Sequence, residues 1–191
     1  MLMAILPLVI APDPFLDTPS ESVKEVNDEI RTLLDDMLET MYDARGIGLA
    51  AVQVGQHKRV IVVDVEWNEQ EPDSRHPIKL VNAEIVKTSE QDSSYNEGCL
   101  SFPEQYSEVI RPEKVTVKYL DENGKEQTLQ ADGLLATCIQ HEIDHTDGIT
   151  FVQHISRLKR DRINKKLLKM RKAGAFETVD CGDPSCSHEH H

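Results

Sequence analysis

Two histidines and a glutamate stand close together in the segment "QHEIDH", residues 140–145. His141 and His145 are four residues apart, and on a helix this spacing places both imidazoles on one face, where they can bind the same ion. Glu142 lies about 100° around that helix from His141, so its carboxylate can reach a water at the ion without ligating the ion. The H-E-x-x-H pattern is typical of metal-dependent hydrolases, whose catalytic ions have three protein ligands and an open position.

A cysteine is the best candidate for the third ligand. Cys99 begins the segment "CLSFPEQY", which we predict to be a short loop, about forty residues before the histidines. A thiolate is a strong ligand for borderline metals, and metal binding deprotonates the thiol. The next histidine downstream, His154, follows Gly148 in a segment that we predict to be a strand. The alternative interpretation is a helix with two exposed histidines and a buried free cysteine.

The residues around the motif indicate a helix with two different faces. An apolar stripe is predicted to face the core, and it consists of Leu135, Ile139 and Ile143. The adjacent face carries the two histidines together with Leu134 and Cys138. One side of the helix can therefore pack on the core while the other lines a pocket. For Cys138 we favour a place in the pocket wall or the core over a role as a fourth ligand.

A glycine-rich segment, "GIGLAAVQVG" at residues 46–55, contains the spacing G-x-G-x-x-A. A dinucleotide-binding fingerprint requires a strand before this spacing and a helix after it, whereas here a predicted helix precedes it and the apolar run "RVIVVDV" follows. The order argues against dinucleotide binding. Glycines also let the backbone approach a ligand closely. Gln53 carries an amide that can donate to a substrate carbonyl, and the alternative for this residue is the surface of a strand.

Helical and strand patterns surround these candidate residues. Residues 20–46 repeat apolar side chains at helical spacing, with Ser22 and Glu25 spaced as a capping box and Gly46 as a stop. Two runs rich in Val and Ile, 58–65 and 78–86, predict strands.

Further elements follow towards the C-terminus. Residues 113–131 alternate around Asn123–Gly124 as a hairpin does. Residues 132–148 and 156–173 are predicted to form the motif-bearing helix and a final helix. The predicted fold class is α+β: a single domain in which antiparallel strands pack around a central motif-bearing helix, with an N-terminal and a C-terminal helix.

Composition indicates one globular domain and excludes several classes of protein. The chain has 191 residues and a net charge of -13, so the molecule as a whole repels nucleic acid and anionic membranes. Its 4 cysteines are too scattered for a disulfide-stapled secreted scaffold, which favours reduced thiols in the cytoplasm. The apolar N-terminal stretch lacks basic residues and is broken by Pro7 and Pro12, so we predict that it packs on the core and is not a signal peptide. No DNA or membrane partner is expected.

The final predicted helix differs from the rest of the chain in charge. Residues 157–172 hold nine Lys or Arg residues and a single acidic one, Asp161. One interpretation is a solvated helix face whose apolar stripe, Ile163, Leu167 and Met170, packs on the body. The other is a basic arm that docks on nucleic acid despite the acidic body.

Three blocks of the sequence together resemble one known family. They are "GIGLAAVQ" (46–53), "EGCLS" (97–101) and "QHEIDH" (140–145), and in this order and spacing they are similar to those of peptide deformylase, the hydrolase that removes the N-formyl group from nascent bacterial polypeptides. The resemblance covers most of residues 10–172 and implies a catalytic domain over residues 1–173. It also implies one divalent metal ion, with Fe2+ as the usual physiological ion and Zn2+, Ni2+ or Co2+ as substitutes.

Carried over to this chain, the resemblance implies a role for each matching residue. The implied metal ligands are Cys99, His141 and His145. Glu142 is the general base and then the general acid, and hydroxide formed at the metal attacks the formyl carbon. The side-chain amide of Gln53 and the backbone N–H of Leu100 stabilise the developing oxyanion. The products are formate and a peptide with a free N-terminal methionine.

A substrate pocket and a supporting shell are also predicted. The walls of an apolar slot for the first methionine are Ile47, Gly48, Leu134 and Cys138. The backbone of Gly48 is predicted to pair with the extended peptide. Behind the ligands, we predict that Asp144 pairs with Arg111 and that Glu97 supports the metal ligands. The alternative for Asp144 and Glu97 is an ordinary surface or loop carboxylate.

Two segments depart from the pattern of the family. Many members carry a basic residue where Tyr106 stands, so a charged contact to the peptide backbone is expected to be missing. The polar composition of residues 174–191 predicts a disordered tail. The alternative is a second metal site built from the cysteines and histidines of the tail, Cys181, Cys186, His188, His190 and His191.

Three functions are consistent with these features. The leading hypothesis is a cytoplasmic deformylase that acts on N-formyl-methionyl nascent peptides and docks near the ribosomal exit tunnel through its basic helix. The second is a different metallohydrolase, such as a peptidase. The third is a non-enzymatic ribosome-associated protein with a structural metal, although three protein ligands would leave a fourth position open.

Overall fold

The computed structural model describes residues 4–176 of the chain. Within this range the strands are β1 (Gly48–Ala50), β2 (Val60–Val63), β3 (Ile78–Thr88), β4 (Asp92–Cys99), β5 (Phe102–Pro112), β6 (Lys114–Leu120) and β7 (Glu126–Asp132). A five-stranded sheet has the order β1-β2-β3-β6-β7, and β4 pairs with β5 in a separate two-stranded sheet. All of these pairings are antiparallel.

The α-helices of the same range are α1 (Asp28–Asp43), α2 (Gly133–Thr146) and α3 (Arg157–Lys172). Short 3-10 helices include Ala51–Val54 after β1 and Phe151–Gln153 between α2 and α3. Helix α2 carries the histidine motif and contacts both sheets. The predicted α+β class, with antiparallel strands around the motif helix, is therefore confirmed.

Strand β2 is covered on both faces. Val60 and Val62 belong to the apolar cluster that contains α1, whereas Ile61 and Val63 belong to the cluster that contains α2. Successive side chains of a strand point to opposite faces, so a strand covered on both sides requires a continuous apolar run. This requirement explains the unbroken "VIVV" in the sequence.

Helix α2 lies between the large sheet and the β4–β5 hairpin. Its predicted apolar stripe packs in the same cluster as β2, with Ile139 fully buried and Leu135 partly buried. The opposite side of the helix contacts β4 and β5. The predicted division of α2 into a core face and a pocket face is confirmed.

Helix α3 packs on the body through its predicted apolar stripe. Ile163 and Leu167 are buried in a cluster with Val9 and Phe102, and Met170 packs against the edge of this cluster. Ser156 caps the helix by accepting a hydrogen bond from the backbone N–H of Lys159. In the described part of the N-terminal stretch, Leu6, Leu8 and Val9 pack on the apolar clusters of the core, as predicted.

The start of α1 differs from the prediction. The helix begins at Asp28, six residues after Ser22, and Asn27 caps it by accepting a hydrogen bond from the backbone N–H of Ile30. The preceding residues are extended because the chain pairs elsewhere: the side chain of Asn82 exchanges two hydrogen bonds with the backbone of Val23. The predicted capping role of Ser22 and Glu25 is therefore wrong.

Two other regions also differ. The predicted strand around His154 is wrong, because this residue follows the 3-10 helix Phe151–Gln153. Most of the "CLSFPEQY" segment is strand and not loop, since Cys99 ends β4 and Phe102 begins β5.

No helix between residues 4 and 176 combines the length and apolar character that a bilayer crossing requires. The cysteines and histidines of the C-terminal tail, residues 181–191, lie outside the described residues.

Candidate metal centre

The three predicted ligands come together from two elements. Cys99 lies at the end of β4, where the hairpin register shifts, and His141 and His145 lie on α2. One donor atom from each residue can be chosen so that all three lie within 4.8 Å of one another. Cys99 Sγ lies 3.2 Å from His145 Nε2. Both histidines are buried.

The donor set fits a divalent metal ion. Glu97 Oε2 lies 2.8 Å from Nδ1 of His141, and this contact leaves Nε2 of the ring free to bind metal. A thiolate and two imidazoles suit borderline ions such as Fe2+, Zn2+, Ni2+ and Co2+. These three residues would hold the ion, and three protein ligands leave room for water or substrate.

A series of charged side chains supports His141 on the side of the ring that carries Nδ1. Arg111 donates to both oxygens of Glu97, from Nε at 2.5 Å and from Nη2 at 3.1 Å. Its Nη1 donates to Asp144 Oδ2 at 2.8 Å, so the predicted contact between Arg111 and Asp144 is present. The same Asp144 oxygen lies 2.7 Å from Nε2 of His154. Glu97 is buried, and Asp144 is 20% exposed with two hydrogen-bonding partners, so neither carboxylate is an ordinary surface group.

Hydrogen bonds decide the charge of Glu97. Burial alone would raise the pKa of this carboxyl group, but the hydrogen bonds from His141 and Arg111 outweigh burial and lower the pKa to about 2. Glu97 is therefore a carboxylate at neutral pH, and it can accept hydrogen bonds from both neighbours.

Glu142 has the opposite environment. Its side chain is buried, and its Oε2 has no hydrogen-bond partner among the described residues. Burial is the main cause that raises the pKa of Glu142 to about 7. A carboxyl group with this pKa can exchange a proton near neutral pH, which is the requirement for a general acid–base residue.

Gly48 allows the backbone to pass close to Glu142. A Cβ atom at this position would lie 2.5 Å from Glu142 Oε1 and 2.7 Å from Cys138 Sγ. Both distances are too short for a side chain of any size. The glycine therefore lets β1 form one wall of the site.

Gln53 lies inside the site and not on a strand surface. It belongs to the 3-10 helix after β1, and its side chain is buried. Its Oε1 accepts a hydrogen bond from the backbone N–H of Ala50 at 2.8 Å. Its Nε2 donates to Cys99 Sγ at 3.4 Å and to Ser101 Oγ at 3.2 Å. The amide group is therefore held with its N–H groups beside the thiol.

A cleft of about 760 Å³ is lined by Cys99, His141 and Glu142. The four residues predicted to form the methionine slot all line it, namely Ile47, Gly48, Leu134 and Cys138. Leu100 also lines the cleft, at the hairpin turn. Ile47 and Leu134 are 37% and 42% exposed, so an apolar surface borders the opening.

Cys138 belongs to the wall of the cleft. Its thiol lies 3.4 Å from the carbonyl oxygen of Ile47, and burial raises the pKa of this thiol well above its usual value. The group of potential metal ligands in residues 4–176 contains Cys99 and the two histidines but not this cysteine.

Several site residues were not identified from the sequence. Ser101 is fully buried and accepts the hydrogen bond from Gln53, and His154 extends the series of charged side chains. In the sequence Tyr106 differs from the family only by its lack of charge, whereas in the structure its ring lies across Gly98, where an added Cβ atom would be 2.5 Å from the ring. Strand pairing brings Tyr106 opposite Gly98. The sequence could indicate this contact only if it predicted the β4–β5 hairpin, which it does not.

Comparison with known proteins agrees with this geometry. The family model described as "Polypeptide deformylase" matches residues 5–161. The peptide deformylase of Agrobacterium fabrum is 53% identical over 171 residues, which cover 90% of this chain and 99% of the relative. The peptide deformylase of Methylocella silvestris is 54% identical over 175 residues, covering 92% of this chain and 89% of the relative.

Solved structures show the same likeness. The crystal structure of peptide deformylase from Ehrlichia chaffeensis matches with a TM-score of 0.84 and 40% identity, covering 91% of this chain and 100% of that one. Its complex with actinonin matches with a TM-score of 0.83 and 42% identity, covering 89% and 99%. The chain belongs to the polypeptide deformylase family.

Proposed function

We propose that this protein hydrolyses the N-formyl amide of formyl-methionyl nascent peptides and releases formate. The observation that carries the proposal is the assembly of Cys99, His141 and His145 next to a cleft with an apolar rim, which Cys99, His141 and the buried Glu142 line. The membership of the family supports the choice of a formyl group as the substrate.

Glu142 is the proton carrier in this proposal. A divalent ion, when bound, supplies Lewis acidity that activates water and polarises the formyl oxygen. Glu142 accepts a proton from the attacking water as the oxygen of that water adds to the formyl carbon. It then delivers the proton to the nitrogen of the leaving amine as the carbon–nitrogen bond breaks. Its pKa of about 7 suits both steps.

Two groups stabilise negative charge on the formyl oxygen in this proposal. Gln53 presents an amide N–H near Cys99 Sγ, and Leu100 follows this cysteine in the turn that lines the cleft. A donor of this kind is typically worth ~2.7–4 kcal/mol to the transition state. The side chain of the first methionine lies in the slot formed by Ile47, Gly48, Leu134 and Cys138. The backbone of Gly48 pairs with the peptide.

The direct test is formate release. The purified, metal-loaded protein is expected to release formate from formyl-Met-Ala-Ser and to leave acetyl-Met-Ala-Ser intact, because the extra methyl group of acetyl crowds the reacting carbon. A coupled formate assay and mass spectrometry of the peptide measure both reactions. Cleavage of internal peptide bonds without a requirement for the formyl group would instead indicate a peptidase.

The resident ion is proposed to be Fe2+, with Zn2+, Ni2+ or Co2+ as substitutes, since one thiolate and two imidazoles suit all four. We place the reaction in the cytoplasm, where nascent chains leave the ribosome. Metal analysis after anaerobic purification tests the choice of ion.

The basic helix α3 is proposed to dock on the ribosome near the exit tunnel. Its apolar stripe is used in packing, and its exposed surface carries Lys165, Lys166 and Lys169 among other basic residues. Exposed ribosomal RNA is an anionic partner for such a surface, and contacts with its phosphates would make binding strongly salt-dependent.

Charge reversal on α3 tests the docking. Replacing these three lysines with glutamate is expected to weaken ribosome binding by at least about tenfold at low salt, since phosphate contacts are lost. Sedimentation with ribosomes at several salt concentrations measures the effect. The matched control reverses three exposed lysines outside α3, namely Lys87 and Lys118 on the large sheet and Lys125 in the turn between β6 and β7. Equal loss in the control would show that total charge, and not α3, governs binding.

A further inference from the structure

We propose that His154 is a positioning residue of the metal centre, which acts on His141 through Asp144, Arg111 and Glu97. The inference rests on the proposed function, because it concerns the same three metal ligands. His154 lies beyond the motif helix in the sequence and is not one of the predicted ligands. In the structure, His154 is connected to one of these ligands through a series of side-chain contacts.

An unbroken series of contacts joins His154 to the metal ligand. Nε2 of His154 lies 2.7 Å from Asp144 Oδ2, and the same oxygen accepts a hydrogen bond from Arg111 Nη1 at 2.8 Å. The guanidinium group of Arg111 holds both oxygens of Glu97. Glu97 Oε2 in turn contacts Nδ1 of His141 at 2.8 Å. Each group in the series therefore orients the next.

Burial increases along this series towards the ligand. The side chain of His154 is 34% exposed and that of Asp144 is 20% exposed, whereas those of Arg111 and Glu97 are 5% and 4% exposed. Hydrogen bonds between buried charged groups are strong and directional, so a change in the orientation of one group affects its neighbours. The position of the Asp144 carboxylate is set by two donors on one oxygen, and His154 is the outer donor.

The backbone gives His154 a second connection to the same ligand. Its N–H donates to the carbonyl oxygen of Phe151 at 3.1 Å, which closes the 3-10 turn that precedes it. Phe151 is fully buried, and its ring stacks on that of His141 with centroids 6.1 Å apart and an interplanar angle of 22°. One short turn thus carries an aromatic ring that packs on the ligand and a histidine that holds the carboxylate behind it.

Metal release from the cobalt-loaded protein tests the role of His154. The variant His154→Phe keeps an aromatic ring but removes the donor to Asp144. We expect it to release Co2+ to a chelator about 3–10-fold faster, less than the 10–100-fold loss typical when a direct outer partner of a ligand is removed. A shift in the visible spectrum of bound cobalt is expected as well, because the orientation of His141 changes.

A conservative variant distinguishes positioning from simple packing. His154→Gln places an amide N–H at the same number of bonds from Cβ as Nε2, so it is expected to restore slow release and the wild-type spectrum. His76→Phe is the matched control, since His76 is exposed and lies away from the cleft. Thermal unfolding of the metal-free forms establishes that the variants fold.

The outcomes separate this inference from the proposed function. A wild-type chain that binds no cobalt would overturn the metal centre and the role of His154 together. Normal cobalt binding with unchanged release and spectrum in His154→Phe overturns only the role of His154. Equally fast release from the Gln and Phe variants also overturns it, because the donor would then have no effect.

Discussion

Glu142→Gln is expected to reduce formate release by about 10²–10⁴-fold, the range typical of general acid–base catalysis. Glutamine has nearly the same shape as glutamate but cannot accept and return a proton. The ligand atoms of the metal centre belong to other residues, so the metal content is expected to remain at the wild-type level. The coupled formate assay and elemental analysis of the same sample measure both quantities.

A second carboxylate serves as the control. Glu108 is exposed on β5 and accepts a hydrogen bond from Ser94, outside the cleft. Glu108→Gln removes the same charge and is expected to leave turnover unchanged. Full activity in Glu142→Gln would exclude the proton transfers that we assign to this residue.

Cys99→Ala is expected to weaken metal binding by more than about 100-fold and to abolish formate release. Loss of an outer partner of a ligand typically costs 10–100-fold in affinity, and loss of a ligand itself should cost more. Two imidazoles alone would remain to hold the ion. Competition with a chromogenic chelator measures the affinity.

The other cysteine of the site cannot replace the lost thiolate. Cys138 contacts the backbone of Ile47, and burial keeps its thiol protonated. The matched control Cys138→Ala is therefore expected to retain its metal. Wild-type metal affinity in Cys99→Ala would show that the sulfur is not a ligand.

The motif-bearing helix was accessible to prediction because two periodic signals coincide in it. Leu135, Ile139 and Ile143 mark the core face of α2, and the histidines fall on another face. Patterns of this kind can be recognised in a sequence because a helix forms from residues that are close together in the chain. The position of Cys99 beside this helix depends on tertiary packing. The sequence could therefore indicate Cys99 as a ligand only through the chemistry of its thiol.

The β4–β5 hairpin was not predicted because its sequence lacks a simple apolar alternation. One of its faces is open to solvent, and its inner face uses an ion pair where apolar residues are expected. Glu97 and Arg111 would count against a buried strand until their contact is known. Ser22 and Glu25 also show the effect of distant contacts. Their spacing predicts a helix cap, but their segment pairs with residues far away in the sequence.

Gln53 illustrates the limit of sequence-based prediction for the candidate site residues. A glutamine near the end of a glycine-rich segment has no periodic signal that separates a buried donor from a surface residue. The short 3-10 turn after β1 rotates its side chain towards Cys99, and only the hydrogen bonds with Ala50 and Ser101 reveal the orientation. Its proposed role as an oxyanion donor therefore depends on three-dimensional contacts.

The separation of the hairpin from the large sheet has a consequence for how the enzyme is activated. Two-stranded hairpins are marginally stable by themselves, so β4 and β5 depend on side-chain contacts with the rest of the protein. An ion shared by Cys99 and α2 would act as a cross-link that closes a loop of about forty residues. Loading with metal and local tightening of the polypeptide are then one thermodynamic event, in which the free energy of coordination also stabilises the reaction site against opening.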